Sequence, residues 1–158
     1  MIKIYLAGYI SGEKIEECIA WRKKIREHYD NWKGKEKYPI VWLDPLNGQI
    51  LNSIDKEGLK SAIPSKALIM RDFNCIKKAD IIIANLTTFG ADRPLIGTFY
   101  ELAWAWYLKK ITIIITDEIY YKEHPFIKDT GIIMNSVDEL LNSKIINYFY
   151  KGLHSAIY

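Results

Sequence analysis

The chain has 158 residues, 49% apolar and 26% charged, with a formal net charge of +3. That length suits one domain with a real core, spanning 1–158, and is short for two. The charge is small and its lysines are scattered, which reads as solubility and not as the footprint of a nucleic-acid polymer.

Ile2 to Ala7 is a short apolar run ending at Gly8, and it predicts the first strand. Because this run is too short and strand-like for a signal peptide, and no apolar stretch approaches membrane-spanning length, a cytoplasmic protein with no membrane partner is expected. A helical pattern follows, with Ile15, Cys18, Ile19, Ile25 and Tyr29 on one side. Further strands are predicted at Pro39 to Leu43, Asp80 to Asn85, Ile111 to Thr116 and Gly131 to Met134. Helices are predicted at Ser65 to Lys78, Gly97 to Lys109 and Ser136 to Tyr150. Near-continuous Ile and Val runs indicate strands covered on both faces, hence a parallel sheet. The alternation predicts an α/β three-layer sandwich with five parallel strands. Cys18 and Cys75 have no Cys or His neighbours at ligand spacing, which points to neither zinc nor a disulfide framework.

In such a sheet, ligands bind beyond the carboxyl ends of the strands. Those ends are Gly8 to Gly12, Asp44 to Gly48 and Asn85 to Leu95. The glycines of LAGYISGE lack dinucleotide-fingerprint spacing, there is no Walker sequence, and His28, His124 and His154 lie far apart. No cofactor or metal is expected, and acids remain as the chemical groups. Glu101 stands out within GTFYELAWAWYLK, a run apolar enough to predict an enclosed helix with this carboxylate in its first turn. There the helix field would keep it ionised. The T-x-x-E spacing of Thr98 and Glu101 also fits a capping box, in which the carboxylate merely returns to the backbone. Asp72 shares a side with Ile69 and Ile76 and should point partly inward, either as a chemical group or as a boundary residue paired with Arg71. Asp80, just before a strand, reads as a strand-start acid. Asp92 and Arg93 lie in the loop before the Glu101 helix, where a solvated pair or a substrate contact would fit.

Taken together, KIYLAGYISG, DPLNG, RDFNCIKKADIIIANL and GTFYELAWA, with the tail NYFYKGLHSAIY, resemble the nucleoside 2-deoxyribosyltransferase family nearly end to end. The resemblance implies the sheet order 2-1-3-4-5 and transfer of a 2-deoxyribosyl group between nucleobases. In that family pattern Glu101 is the nucleophile, Tyr5 holds its carboxylate, and Asp72 is the acid facing the base. Gly8, Gly97, Thr98 and the terminal Tyr158 are the expected substrate-binding residues, with Asp92, three residues before the family's base-binding position, as a further candidate. The implied partners are 2'-deoxynucleosides, free nucleobases and further copies of the chain, as a dimer or a trimer of dimers. The pattern is departed from at Leu95, where lactobacillal members carry a base-binding Asp. It is departed from again in HPFIKDTG, which lacks the Asn that those members supply to a neighbour's sugar; Lys128 or Asp129 is the nearest substitute. A related branch cleaves nucleoside 5'-monophosphates with a Glu in the same helix, and Ser11, Arg93 and Thr98 loosely match its phosphate-binding Ser and Arg groups. A nucleotide-binding domain without catalysis is the third reading.

Overall fold

The computed structural model describes residues 1–10, 14–31, 39–47, 54–55, 58–59 and 64–154. Ser11, Gly12, Gly48 and Tyr158, named above, lie outside them. In chain order the elements are β1 (Ile2–Gly8), α1 (Ile15–Asp30), β2 (Ile40–Leu43), β3 (Ile54–Asp55), β4 (Gly58–Leu59), α2 (Ser65–Lys78) and β5 (Ile81–Asn85). There follow α3 (Ile96–Tyr107), β6 (Ile111–Ile115), α4 (Ile119–Glu123), α5 (Pro125–Lys128), β7 (Ile132–Met134), α6 (Val137–Ser143) and α7 (Ile145–His154).

Five strands form one sheet in the order β2-β1-β5-β6-β7, every pairing parallel. This is the predicted 2-1-3-4-5 order, with β3 and β4 as a separate antiparallel pair. Side chains alternate across each strand, so the Ile-rich runs feed two cores. On one face Ile4, Leu6, Ile81, Ile83 and Ile113 pack with Trp21, Ile25 and Tyr29 of α1 and Leu140 and Ile146 of α6 and α7. On the other, Tyr5, Ala7, Ile82, Ala84 and Ile114 pack with Ile76 of α2, Leu102 and Ala105 of α3, and Ile127 of α5. Asp80 holds the start of β5 to β1 by a reciprocal pair: its amide donates to Lys3 O at 2.8 Å, and the Lys3 amide donates to Asp80 Oδ2 at 2.8 Å.

Two predicted elements change, and two short helices not predicted appear. The final helix is two helices, because Lys144 adopts a left-handed φ of 56° and terminates α6. The segment between β6 and β7 contains α4 and α5, with His124 Nδ1 capping the second at Phe126 N. The α3 helix is enclosed on one side only: Thr98, Glu101, Leu102 and Ala105 are buried, whereas Tyr100, Trp106 and Tyr107 are exposed.

Candidate active site

Glu101 is the sixth residue of α3 and so lies in its second turn, not its first. The helix begins ahead of Thr98, with Leu95 as N-cap and no side-chain capping bond, so the alternative capping-box reading is not met. Thr98 and Glu101 instead share the buried stripe that faces the sheet. There the Glu101 carboxyl meets the hydroxyl of Tyr5, which donates to Oε1 at 2.5 Å. Tyr5 is fully buried in β1. Burial and the charge of Glu101 hold its phenol well above the ordinary value, which keeps it a donor.

Burial also overturns the expectation that Glu101 stays ionised through the helix field. Loss of water pushes its carboxyl up to about 8; the Tyr5 hydrogen bond opposes this, Asp72's charge adds to it, and Arg22 and Arg71 oppose it further. Asp72, half-buried on α2, is thus placed close enough to act on Glu101. Its Oδ1 accepts from Arg71 Nε at 3.0 Å and Nη2 at 2.9 Å, and Nη2 also donates to Pro45 O at 2.8 Å. The carboxyl is raised by burial and lowered by Arg71, with burial prevailing.

Gly8 ends β1 opposite Asn85. A Cβ there would lie 2.9 Å from Trp21 Cζ2 and 3.1 Å from Asn85 O, so the close approach of α1 and β5 requires glycine. Beyond Asn85, whose Oδ1 accepts from Thr87 N at 3.0 Å, the chain turns through Phe89 and Gly90. Both have positive φ, and Ala91 N closes the turn on Thr88 O at 3.1 Å. Asp92 is exposed on the bend that follows, and none of the hydrogen bonds among the described residues ties it to Glu101 or Asp72. Gly97 is exposed on α3, and a Cβ there would meet nothing within 4 Å.

Sequence reasoning missed Arg22. Its side chain is completely buried, and Nη1 donates to Cys18 O at 2.7 Å while Nη2 donates to Gly8 O at 3.1 Å. The available signal was its spacing: Cys18, Arg22, Ile25 and Tyr29 fall on one helical stripe, whose other members are apolar or aromatic. Two cavities flank α3's surroundings. One of about 340 Å³ lies between the ends of β5 and β6, lined by Thr87, Thr88, Phe89, Asp117 and Glu118 among others. The larger, about 830 Å³, is an apolar groove between α3 and α4–α5, and neither Glu101 nor Asp72 lines it.

No family model matches the sequence, and none of the curated proteins does. Among solved structures, a conserved protein from Enterococcus faecalis V583 is similar over 93% of this chain and 99% of its own, at 18% identity and a TM-score of 0.64. A CMP N-glycosidase from Clostridium botulinum is similar over 92% and 98%, at 18% identity and a TM-score of 0.56. The chain shares the fold of these two proteins. A 2-deoxyribosyltransferase from Leishmania mexicana also aligns, over 75% of this chain and 66% of its own, at 23% identity and a TM-score of 0.49. At these identities the likeness is one of fold, and the chemistry has to come from the site.

Proposed function

We infer that the protein is a nucleoside deoxyribosyltransferase, which moves the 2-deoxyribosyl group of a 2'-deoxynucleoside to a second nucleobase by retaining double displacement. The observation that carries this reading is the buried Glu101, held by the Tyr5 hydroxyl at 2.5 Å against the parallel sheet, with the charge of Asp72 acting on it. With Oε1 occupied by Tyr5, Oε2 is the attacking oxygen. It bonds to C1' as the C1'–N bond breaks, and the bond's electron pair leaves with the base, which takes a proton from Asp72. A second base then attacks C1', returns its proton to Asp72 and displaces Glu101 as a carboxylate.

Near neutral pH the pair needs one proton, and Glu101 at about 8 holds it in the free protein. Transfer of that proton to Asp72 leaves a carboxylate nucleophile and a carboxylic acid, which is the combination the reaction consumes. The charge developing at C1' favours that transfer, because an oxocarbenium-like centre stabilises the adjacent anion. Gly8, Gly97, Thr98 and Asp92 are the residues proposed to contact the substrate, and the same role is proposed for Tyr158, which lies outside the described residues. Metal or cofactor is not needed for these steps, and the partners are nucleosides and bases.

The test is to incubate the protein with a 2'-deoxynucleoside and a second free base, following new nucleoside and free sugar by chromatography. Appearance of the second nucleoside is expected. Base release restricted to nucleoside 5'-monophosphates, without transfer, would replace this reading with an N-glycosidase. Binding without release would leave a nucleotide-binding domain.

A further inference from the structure

Adjacent residues of a helix point in different directions and do not ordinarily face one another. Arg71 and Asp72 on α2 depart from that rule. The guanidinium turns back onto its neighbour, and Nε at 3.0 Å and Nη2 at 2.9 Å both donate to a single oxygen, Asp72 Oδ1. An arginine fork more often takes both oxygens of a carboxylate, one donor to each. Here none of the hydrogen bonds among the described residues uses Oδ2.

What turns the guanidinium back is the loop after β2. Nη2 also donates to Pro45 O at 2.8 Å, and that carbonyl is a fixed point at the carboxyl end of the sheet. Asp44 beside it is buried, its Oδ1 accepts from Leu46 N at 2.9 Å, and its carbonyl accepts from Asn47 N at 2.9 Å. The Asp44 carboxylate is held in turn 3.5 Å from Arg22 Nε and 3.5 Å from Arg26 Nη1 on α1. Arg71 thus ties α2 to a turn that α1 already pins, and its contacts to Asp72 and Pro45 set the plane of the guanidinium. With both lone pairs of Oδ1 facing donors, a proton taken up by Asp72 belongs on Oδ2.

We propose that Arg71 is a positioning residue of the site: anchored on Pro45 O, it occupies Oδ1 of Asp72, directs the proton of the acid to Oδ2 and holds that oxygen still for the departing base. The role of Asp72 as the acid rests on the transferase reading above; the clamp itself does not. As the C1'–N bond breaks, the base leaves with its electron pair and takes the Oδ2 proton, so that Asp72 becomes a carboxylate. Arg71 keeps the same two bonds whether Asp72 is protonated or not, and they strengthen as that charge develops. The other titratable groups around Asp72 are Glu101 on α3, Tyr5 on β1 and Cys75 on α2; Arg22 acts in turn on Glu101, and Lys78 on Cys75.

The test compares Arg71→Met and Arg71→Lys with wild type. Lysine keeps the charge, but its ammonium cannot reproduce the planar fork. One measurement is the Asp72 carboxyl titration in the free protein by carbon-13 NMR, assigned with Asp72→Asn. The other is kcat/KM against pH for two substrates: a 2'-deoxynucleoside, whose base needs the proton, and 4-nitrophenyl 2-deoxy-β-ribofuranoside, whose nitrophenolate leaves without one. Arg71→Met is expected to raise the titration by about one unit, because the cation and its two hydrogen bonds are gone. It should lose roughly tenfold on the deoxynucleoside at pH 7 and less than about threefold on the nitrophenyl glycoside. Arg71→Lys should keep the titration near the wild-type value and still lose most of that roughly tenfold. If Arg71→Met does not fold, Arg71→Gln, equally uncharged, takes its place. Equal losses on the two substrates, an unmoved titration in the uncharged variant, or full recovery of rate in Arg71→Lys would overturn the proposal. A titration that shifts as expected in a protein that releases no base would sink the transferase reading alone.

Discussion

At the residue scale the proposed mechanism turns on two carboxyls, Glu101 and Asp72, that would share one proton. Both Glu101 and Asp72 are pushed upward by burial, and Glu101 by far enough, to about 8, to hold the proton near neutrality. As pH rises past about 8 the pair loses its last proton, and kcat/KM of the wild type should fall there. Asp72→Asn removes the acid and leaves only the need for an ionised Glu101. Its activity should drop about a hundredfold at pH 7, and the remaining rate should rise with pH where wild type falls. A profile unchanged in shape would dismiss Asp72 as the acid. Stability carries the same signature. Glu101's folded value is raised from an ordinary 4.5 to about 8, so its contribution is fully present below about 4.5 and is lost as pH rises through about 8. Glu101→Gln escapes that loss. Its Tm relative to wild type should climb by several degrees between pH 5 and pH 9, on the order of a few kcal/mol; a Tm difference independent of pH in thermal melts would contradict the burial argument.

At the element scale, the strands position the site and the connections tune it. Gly8→Ala would drive a methyl against Trp21 and the Asn85 carbonyl, and because one neighbour is backbone it cannot swing aside. A loss of about 1–3 kcal/mol in denaturant unfolding is expected, with base release impaired as β1 separates from β5 or α1; no loss would mean that this contact can relax. The five strands were legible because each is a short, largely apolar run, Ile-rich at β5 and β6, and that pattern has few alternatives in a chain with repeated β-α alternation. What was not legible depends on single backbone angles or on long-range burial. Lys144 in a left-handed turn breaks one apolar helix pattern into two without any glycine to announce it. Leu95 starts α3 with no capping side chain, so the spacing of Thr98 and Glu101 imitated a motif that the helix register rules out. Tyr5, Asp72 and Glu101 were legible as a set only through the family resemblance. Arg22 was not, because an arginine in an amphipathic helix reads as exposed until the early end of β2 makes room for it inside.

At the scale of the whole molecule, the outer face of α3 and the α4–α5 segment present an apolar surface. Trp106 is 65% exposed, Tyr107 74%, Tyr120 68% and Phe126 80%, around the groove of about 830 Å³. Exposed aromatic patches of this kind mark association surfaces, and a homo-oligomer is proposed. Light scattering at micromolar concentration should give at least a dimeric mass, and Trp106→Glu combined with Tyr107→Glu should reduce it with the far-ultraviolet dichroism unchanged. A monomeric wild type would remove the proposal. None of the helices among the described residues is long and apolar enough to cross a membrane. Double displacement requires Glu101 as the nucleophile. It is tested most directly by mass spectrometry of protein quenched during reaction with a slow 2-fluoro deoxynucleoside analogue. Added sugar mass is expected on the peptide containing Glu101, absent in Glu101→Ala and discharged by a second free base. Exchange between bases with no adduct and with intersecting, sequential kinetics would contradict it.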